Sequence, residues 1–409
     1  MKRSVLLIGA AICVSMQLAS AQSVDHAQLY AERYAAGNYS EAVESAKLLV
    51  TEVIAQGDDS IAYADALERL ADAQRMLGDL PAAVQNYRSA LGRIESGADM
   101  LTYRLVTPLV GLARTFEQGQ EYGAAVAEYQ RAAHITRVNE GPMNLPQCEI
   151  LSALVNIYAH QERFDEARDV QEFLLYVYRR SLAETDPRVI EAWRRNGELL
   201  SLSGKHQQAQ ELYTFAADII RVADGQNSLA QIDLLNDLSN SYLEYASADR
   251  FTRVEMARAQ LDRIVTITES NPDASILQRT NAYLRMGDLM QLFGDWNSAL
   301  NFYRSAWQQL HEDDTLRQDT FGMPVLLNPP PSISLPDDVA EPVPVAITVA
   351  YDIDQRGHVD NPRVPDESSH EAAAKKALLL TRKLIFRPRF ESGDPVDTLD
   401  LVREIPIIE

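Results

Sequence analysis

The residues of this chain that could do chemistry are few, and none of them stands at a catalytic spacing. Asp352-x-Asp354-x-x-Gly357 has the outline of a calcium loop. That loop needs an oxygen ligand at its fifth position and glutamate at its twelfth, where this chain has Arg356 and Arg363, so the segment reads as a hairpin turn. The histidines (His26, His134, His160, His206, His311, His358 and His370) show no HxxxH or HExxH spacing for zinc. Ser369 and His370 are only sequence neighbours, and no G-x-S-x-G elbow occurs. A nucleophilic Cys148 would need a paired base, and the residue reads instead as a semi-buried one at a helix start. Gly-rich phosphate loops are absent. The expectation is a non-enzymatic protein with no cofactor and no metal. What remains is recognition: polar and charged groups at regular positions, Glu68, Asp72, Arg114, Asn156, Arg194, Glu198, Asn236, Asn240 and Asp288, able to grip another chain if one surface aligns them.

The elements that would align them are written in seven alanines. Ala42, Ala83, Ala125, Ala167, Ala209, Ala257 and Ala299 are separated by 41, 42, 42, 42, 48 and 42 residues. A fixed period of this length is the signature of stacked structural units. Around each alanine lies a two-helix pattern. In the second unit Leu67, Leu70 and Ala71 make one apolar stripe, Gly78 breaks it, and Leu80, Ala83, Tyr87 and Ala90 make the next. Small residues at Ala71, Ala113, Gly197 and Gly287 let the first helix approach the second, while tyrosine fills the space between units. Glycines 37, 78, 119, 204 and 294 are expected to end first helices in the left-handed conformation. The 48-residue spacing places a six-residue excess near Ala246–Thr252.

This pattern resembles the tetratricopeptide repeat (TPR), on the large and small residues four apart in the first helix and Ala, Tyr and Ala in the second. The ~42-residue period exceeds the family's usual length of about 34, as in the long-helix members typified by kinesin light chain. The resemblance covers roughly residues 25–312 and implies a mainly α fold, a right-handed α-solenoid of about seven helical hairpins that binds proteins or peptides. The candidate groove residues are the outward positions of the first helices, joined there by Val110, Ser152 and Leu284. In TPR proteins that grip C-terminal carboxylates, asparagine and basic residues stand at such positions, as Asn156 and Arg194 do here.

Beyond Leu310 the helical period is expected to stop. Prolines at 324, 329, 330, 331, 336, 342 and 344 indicate a semi-rigid linker, unless the apolar Val325-Leu326-Leu327 docks on a neighbouring domain. From Val345 the period changes to two. Val345, Ile347, Val349 and Tyr351 form a strand, Asp354–Gly357 a turn, and His358 to Val364 the partner strand. A helix from about Ser369 to Lys383, a strand over Leu384–Phe390 and a last strand over Thr398–Ile408 complete a small α+β unit of order ββαββ. This segment resembles the TonB C-terminal domain, on Val349-x-Tyr351-x-Ile353-Asp354-x-x-Gly357-x-Val359, Ala373, Ala377-Leu378, Phe386-Arg387-Pro388, Gly393-x-Pro395-Val396 and Ile405-Pro406-Ile407. The resemblance implies an exposed sheet edge that accepts an extended segment of a partner. The last strand is the expected edge, with Val402, Ile405 and Ile407 as its binding residues.

Location follows from the N-terminus. Lys2 and Arg3, the apolar run Val5–Leu18 and Ala19-Ser20-Ala21 read as a secretory signal peptide cut before Gln22. Cleavage would leave Cys148 as the sole thiol and exclude an intrachain disulfide. The formal charge of −21 repels nucleic acid and anionic lipid surfaces. The expected organisation is a signal peptide (1–21), a helical repeat array (22–315), a Pro-rich linker (316–344) and a TonB-like domain (345–409). The whole reads as a non-enzymatic periplasmic interaction scaffold of a Gram-negative envelope, without a transmembrane helix in the mature chain and with envelope or outer-membrane proteins as partners. The alternative is a TonB-type energy transducer with an uncleaved anchor, although residues 4–21 hold no histidine of the kind transducing members keep there.

Overall fold

A computed structural model describes residues 25–57, 61–97, 99–245, 249–328, 345–365 and 371–407. The signal-peptide segment, linker residues 329–344, the Ser369–His370 pair and the centre of the six-residue excess (246–248) lie outside the described residues. The chain divides into two compact units, residues 1–182 and 183–409, so the division falls inside the repeat array and not at the Pro-rich segment.

The first unit holds four helical hairpins. They are α1 (His26–Ala35) with α2 (Tyr39–Ala55), α3 (Ile61–Leu77) with α4 (Leu80–Gly97), α5 (Val106–Gln118) with α6 (Tyr122–Glu140), and α7 (Gln147–His160) with α8 (Phe164–Ser181). The second unit begins with three more: α9 (Pro187–Leu202) with α10 (His206–Asp224), α11 (Ile232–Glu244) with α12 (Arg250–Ser270), and α13 (Ile276–Leu292) with α14 (Trp296–Gln309). Aspartates start several of these helices, Asp25, Asp186, Asp249 and Asp295 accepting from first-turn N–H groups, and Ser275 forms a capping box with Gln278.

All seven marker alanines are completely buried. The tyrosines beside them explain the small residues opposite. A Cβ placed on Gly197 would lie 2.3 Å from the Tyr213 ring, and one on Gly287 2.5 Å from Tyr303. At these two positions glycine leaves room for the tyrosine ring, while the second and third repeats carry alanine, Ala71 and Ala113, at the equivalent place. At the first-helix ends, Gly78 takes the left-handed conformation, with φ +89°. Gly119 departs from expectation with φ −80°, because the following residue, Gln120, turns the chain instead at φ +60°.

The segment after Leu310 is also ordered differently from expectation. Residues 314–321 form α15 (Asp314–Phe321), started by Asp313, whose side chain accepts from the Leu316 N–H at 2.9 Å. Val325–Leu326 form a short strand β1. The rest of the second unit is β2 (Val345–Ile353), β3 (Val359–Arg363), α16 (Glu371–Thr381), β4 (Phe386–Arg387), β5 (Arg389–Glu391), β6 (Asp394–Val396) and β7 (Thr398–Ile407). Among these, β3-β2-β7 make an antiparallel sheet on which α16 packs through Ala373 and Ala377, over Ile347, Val349, Ile353, Ile405 and Ile407. The expected third strand of that sheet does not join it. Pro388 has no N–H to continue a ladder, and it splits 384–390 into β4, paired with β1, and β5, paired with β6.

The β4–β6 region packs on the last hairpin. Phe390 lies against Phe321, Tyr303 and Trp307, with ring centroids 5.0, 6.0 and 6.1 Å away. Asn328 clamps the strand before it, donating to the Lys383 carbonyl at 2.8 Å and accepting from the Ile385 N–H. The apolar patch at 325–327 is therefore docked, residues 316–321 being helix and Val325–Leu326 paired strand.

Candidate protein-binding surfaces

In the first unit the candidate groove residues come together on α3 and α5. Tyr87 reaches from α4 to donate its hydroxyl to Asp72 at 2.5 Å. Asp72 is pushed up by burial, against the pull of Tyr87, Arg75 and Arg114. Glu68, one turn earlier, is pushed up to about 7 by burial and by the negative charge of Asp72 and Asp65. Asp65 is held by Arg104 at 2.7 Å. Arg114 crosses from α5 to Glu149 at the start of α7, and Tyr129 donates to Glu117 at 3.0 Å. Asn156 is on α7 two turns beyond Glu149. Tyr30 and Tyr34 of α1 sit within the field of Asp72, which, after burial, is the next cause raising both hydroxyls.

In the second unit Arg194 bridges Glu191 at 2.8 Å and, on the next first helix, Asp237 at 3.4 Å. Glu198 pairs with Arg195 at 2.7 Å. Asn240 accepts from Arg285 at 2.7 Å, while the buried Asn236 Oδ1 has no hydrogen-bond partner. Burial lowers Arg285, with Asp237 and Asp288 opposing. Arg285, Arg75 and Glu149 were not among the sequence candidates. Their only signal is charge on the same helix face.

Asp288 differs from the other candidates because its place is filled from within the chain. It takes Tyr303 at 3.0 Å and both arms of the Arg387 guanidinium at 3.1 and 3.2 Å, with side-chain exposures of 11% for Arg387 and 22% for Asp288. Burial raises Asp288, and Arg387 is the main group opposing that rise. Gln291, one turn later, donates to the main-chain carbonyls of Arg356 and Phe386. An outward helix position was thus read as open when a segment about a hundred residues away occupies it.

At the sheet, β7 pairs only with β2 among the described residues, leaving its other side as an edge. Of the residues proposed there, Val402 exposes its side chain, whereas Ile405 and Ile407 belong to the core. Pro406 has no N–H to give, so its nitrogen belongs on the outer side. Val402 and Glu404 share its alternation and present their N–H groups to that edge.

Among the described residues no group of three metal-ligating side chains comes together, and no helix is long and apolar enough to cross a membrane.

Residues 146–219 match the sequence profile of the tetratricopeptide repeat. That stretch carries tetratricopeptide-repeat sequence. No curated protein matches it. Among solved structures, it resembles a signal-transduction ATPase with a tetratricopeptide repeat sensor from Pyrococcus horikoshii, at TM-score 0.50 and 16% identity over 72% of this chain and 43% of that one. A tetratricopeptide repeat protein from Parabacteroides merdae aligns at TM-score 0.40 and 16% identity, over 72% of this chain and 96% of that one. A kinesin light chain repeat protein from Podosopora anserina aligns at 0.43 and 14%, over 51% and 96%. TPR proteins bind other proteins or peptides, and no catalytic family is indicated.

Proposed function

We propose that this TPR protein is a non-enzymatic scaffold of the Gram-negative cell envelope, exported to the periplasm. It grips partner proteins on the outward faces of its first helices and along the open edge of its C-terminal sheet. The observation that carries this reading is the repeated presentation of polar side chains one residue beyond the buried packing position of the first helix (Ala71, Ala113, Val155, Gly197, Ser239). Asp72, Arg114, Asn156, Glu198 and Asn240 stand there on successive first helices. Rigid helices that hold such groups at fixed spacing suit a partner read along its length.

The N-terminal sequence supports export, and the alternation of charge supports a peptide ligand over an apolar one. In the C-terminal module, the order β2, β3, α16, β7 supports the TonB-like resemblance, and β7 supplies unpaired donors for strand addition. The test is capture from envelope extract by the full-length tagged chain. Arg114→Glu with Arg194→Glu should abolish groove partners, and Val402→Pro should abolish those that add to the sheet. A mature N-terminus at Gln22 is expected by mass spectrometry. A retained N-terminus in the membrane fraction would favour an anchored transducer.

A further inference from the structure

Second helices meet the first helix of the following repeat through positions that can be counted from the marker alanine. Five residues beyond Ala83, Arg88 lies over the Phe116 ring of α5, 5.7 Å from its centroid. Five beyond Ala125, Gln130 donates to the Tyr158 hydroxyl of α7 at 3.1 Å. One beyond Ala209, Gln210 donates to the Ser241 carbonyl of α11 at 3.2 Å. Phe116 and Tyr158 occupy the same place in their own helices, three residues after the packing positions Ala113 and Val155. In both repeats the group that meets the fifth position is an aromatic ring.

On α14, the last second helix, the equivalent positions are Leu300 and Arg304, one and five residues beyond Ala299, with Trp296 one turn before Leu300. The C-terminal module covers this face only in part. Phe390 packs on Tyr303 and Trp307, whereas Trp296, Leu300 and Arg304 form one wall of a crevice of about 520 Å³. An apolar cavity of about 150 Å³ already holds a benzene ring, so there is room here for one aromatic side chain and the main chain beside it. Arg304 donates to Asp394 at 2.7 Å. A guanidinium donates in its own plane, so this pair fixes the group and leaves its flat faces for a ring to stack on. Asp354, on the opposite wall, accepts from the Arg356 and His358 N–H groups of its own turn. Arg356 and Asp397 complete the charged lining and are of opposite sign. Two guanidinium groups against three carboxylates give an anion no excess of positive charge, and Arg304 in the wall opposes an ammonium. A neutral ring suits the crevice better than either ion.

We propose that the crevice between α14 and the C-terminal module receives an aromatic side chain of a partner protein, which takes the place that Phe116 and Tyr158 fill between earlier repeats. The ring stacks on Arg304 and packs on Leu300 and Trp296. This contact stands at the end of the repeats, apart from the first-helix faces and the β7 edge, and rests on neither.

The test uses the full-length chain labelled with 5-fluorotryptophan, whose three tryptophans are Trp193, Trp296 and Trp307. The Trp296 fluorine resonance is assigned by its loss in Trp296→Phe. The probe is N-acetyl-phenylalaninamide, read against N-acetyl-leucinamide as an apolar control without a ring. The phenylalanine amide should shift the Trp296 resonance saturably and leave that of Trp193, on α9, in place; the leucine amide should bind more weakly. Arg304→Ala should weaken binding about two- to fivefold, and Leu300→Asp should remove it, both without changing the circular dichroism. In cells, a benzophenone amino acid at Asp397 should give an adduct that Leu300→Asp removes. Equal binding of the leucine amide, equal movement of Trp193, no saturable shift, no response to the two substitutions, or an Asp397 adduct indifferent to Leu300→Asp would each overturn the proposal. Partner capture that still depends on Arg114 and Arg194 would then leave the groove reading standing.

Discussion

Two glycine-to-alanine changes in the first unit should move stability in opposite directions. Gly92 lies in α4 and Gly111 in α5. Helix propensity alone makes each change favourable by about 1 kcal/mol. At Gly92 a new Cβ meets nothing within 4 Å, so that gain is realised, at about 0.5–1 kcal/mol. At Gly111 the Cβ would stand 2.4 Å from the Tyr87 ring and 2.7 Å from its hydroxyl. Tyr87 is completely buried and cannot retreat. Overpacking of this kind costs about 1–3 kcal/mol. Displacing the hydroxyl from Asp72 forfeits a hydrogen bond to a charged group, about 1.5–3 kcal/mol more. Set against the propensity gain of about 1 kcal/mol, the net loss is about 1.5–5 kcal/mol. Calorimetry of the full chain should show the first unit's transition rising for Gly92→Ala and falling for Gly111→Ala. Tyr87→Leu should absorb part of the Gly111→Ala effect, giving a non-additive double variant. A Gly111→Ala protein as stable as Gly92→Ala would refute the packing argument.

Arg387→Met and Asp288→Asn should each cost about 2–4 kcal/mol, since each strands a largely buried partner, and the double variant should cost less than their sum; additive losses would mean the pair does not hold the C-terminal module to α13. Ala125→Arg should cost several kcal/mol through overpacking and a buried charge, and an unchanged melting temperature would count against the repeat register. Glu68 has its folded-state pKa raised from an ordinary 4.5 to about 7, so its ionisation opposes folding as pH rises through that window. Glu68→Gln should therefore be more stable than the parent at pH 8, by about 1–3 kcal/mol, and should lose that advantage below about pH 4.5. A pH-independent difference would remove the argument.

The repeat was legible in the sequence because its determinants are local and periodic. A marker alanine recurs in every hairpin, and in four of the seven a tyrosine four residues later (Tyr87, Tyr129, Tyr213, Tyr303) and a small residue in the preceding helix define the unit within about 40 residues. The candidate groove was legible only as far as position. Sequence spacing identified Asp72 and Asp288 as equivalents, but not that one is engaged by Arg387, which is 99 residues from Asp288. Arg387 had been read as part of a strand motif, and its reach to α13 depends on the split at Pro388 and the pairing of β4 with β1. The helix Asp314–Phe321 escaped notice because eight residues are too few for a period, and its Asp313 cap is a single residue. Gly119 misled for a different reason. Glycine permits a positive φ without requiring it, and Gln120 supplied the turn.

Site-specific photo-crosslinking in cells tests the scaffold reading most directly. A benzophenone amino acid placed at Val110 or Ser152 samples the first-helix face, at Val402 the sheet edge, and at Val222, 77% exposed on the second helix α10, an unrelated surface. The account predicts discrete adducts from Val110 and Ser152, a separate adduct from Val402, and none from Val222. Adducts from Val222 alone, or equal adducts from all four positions, would contradict it.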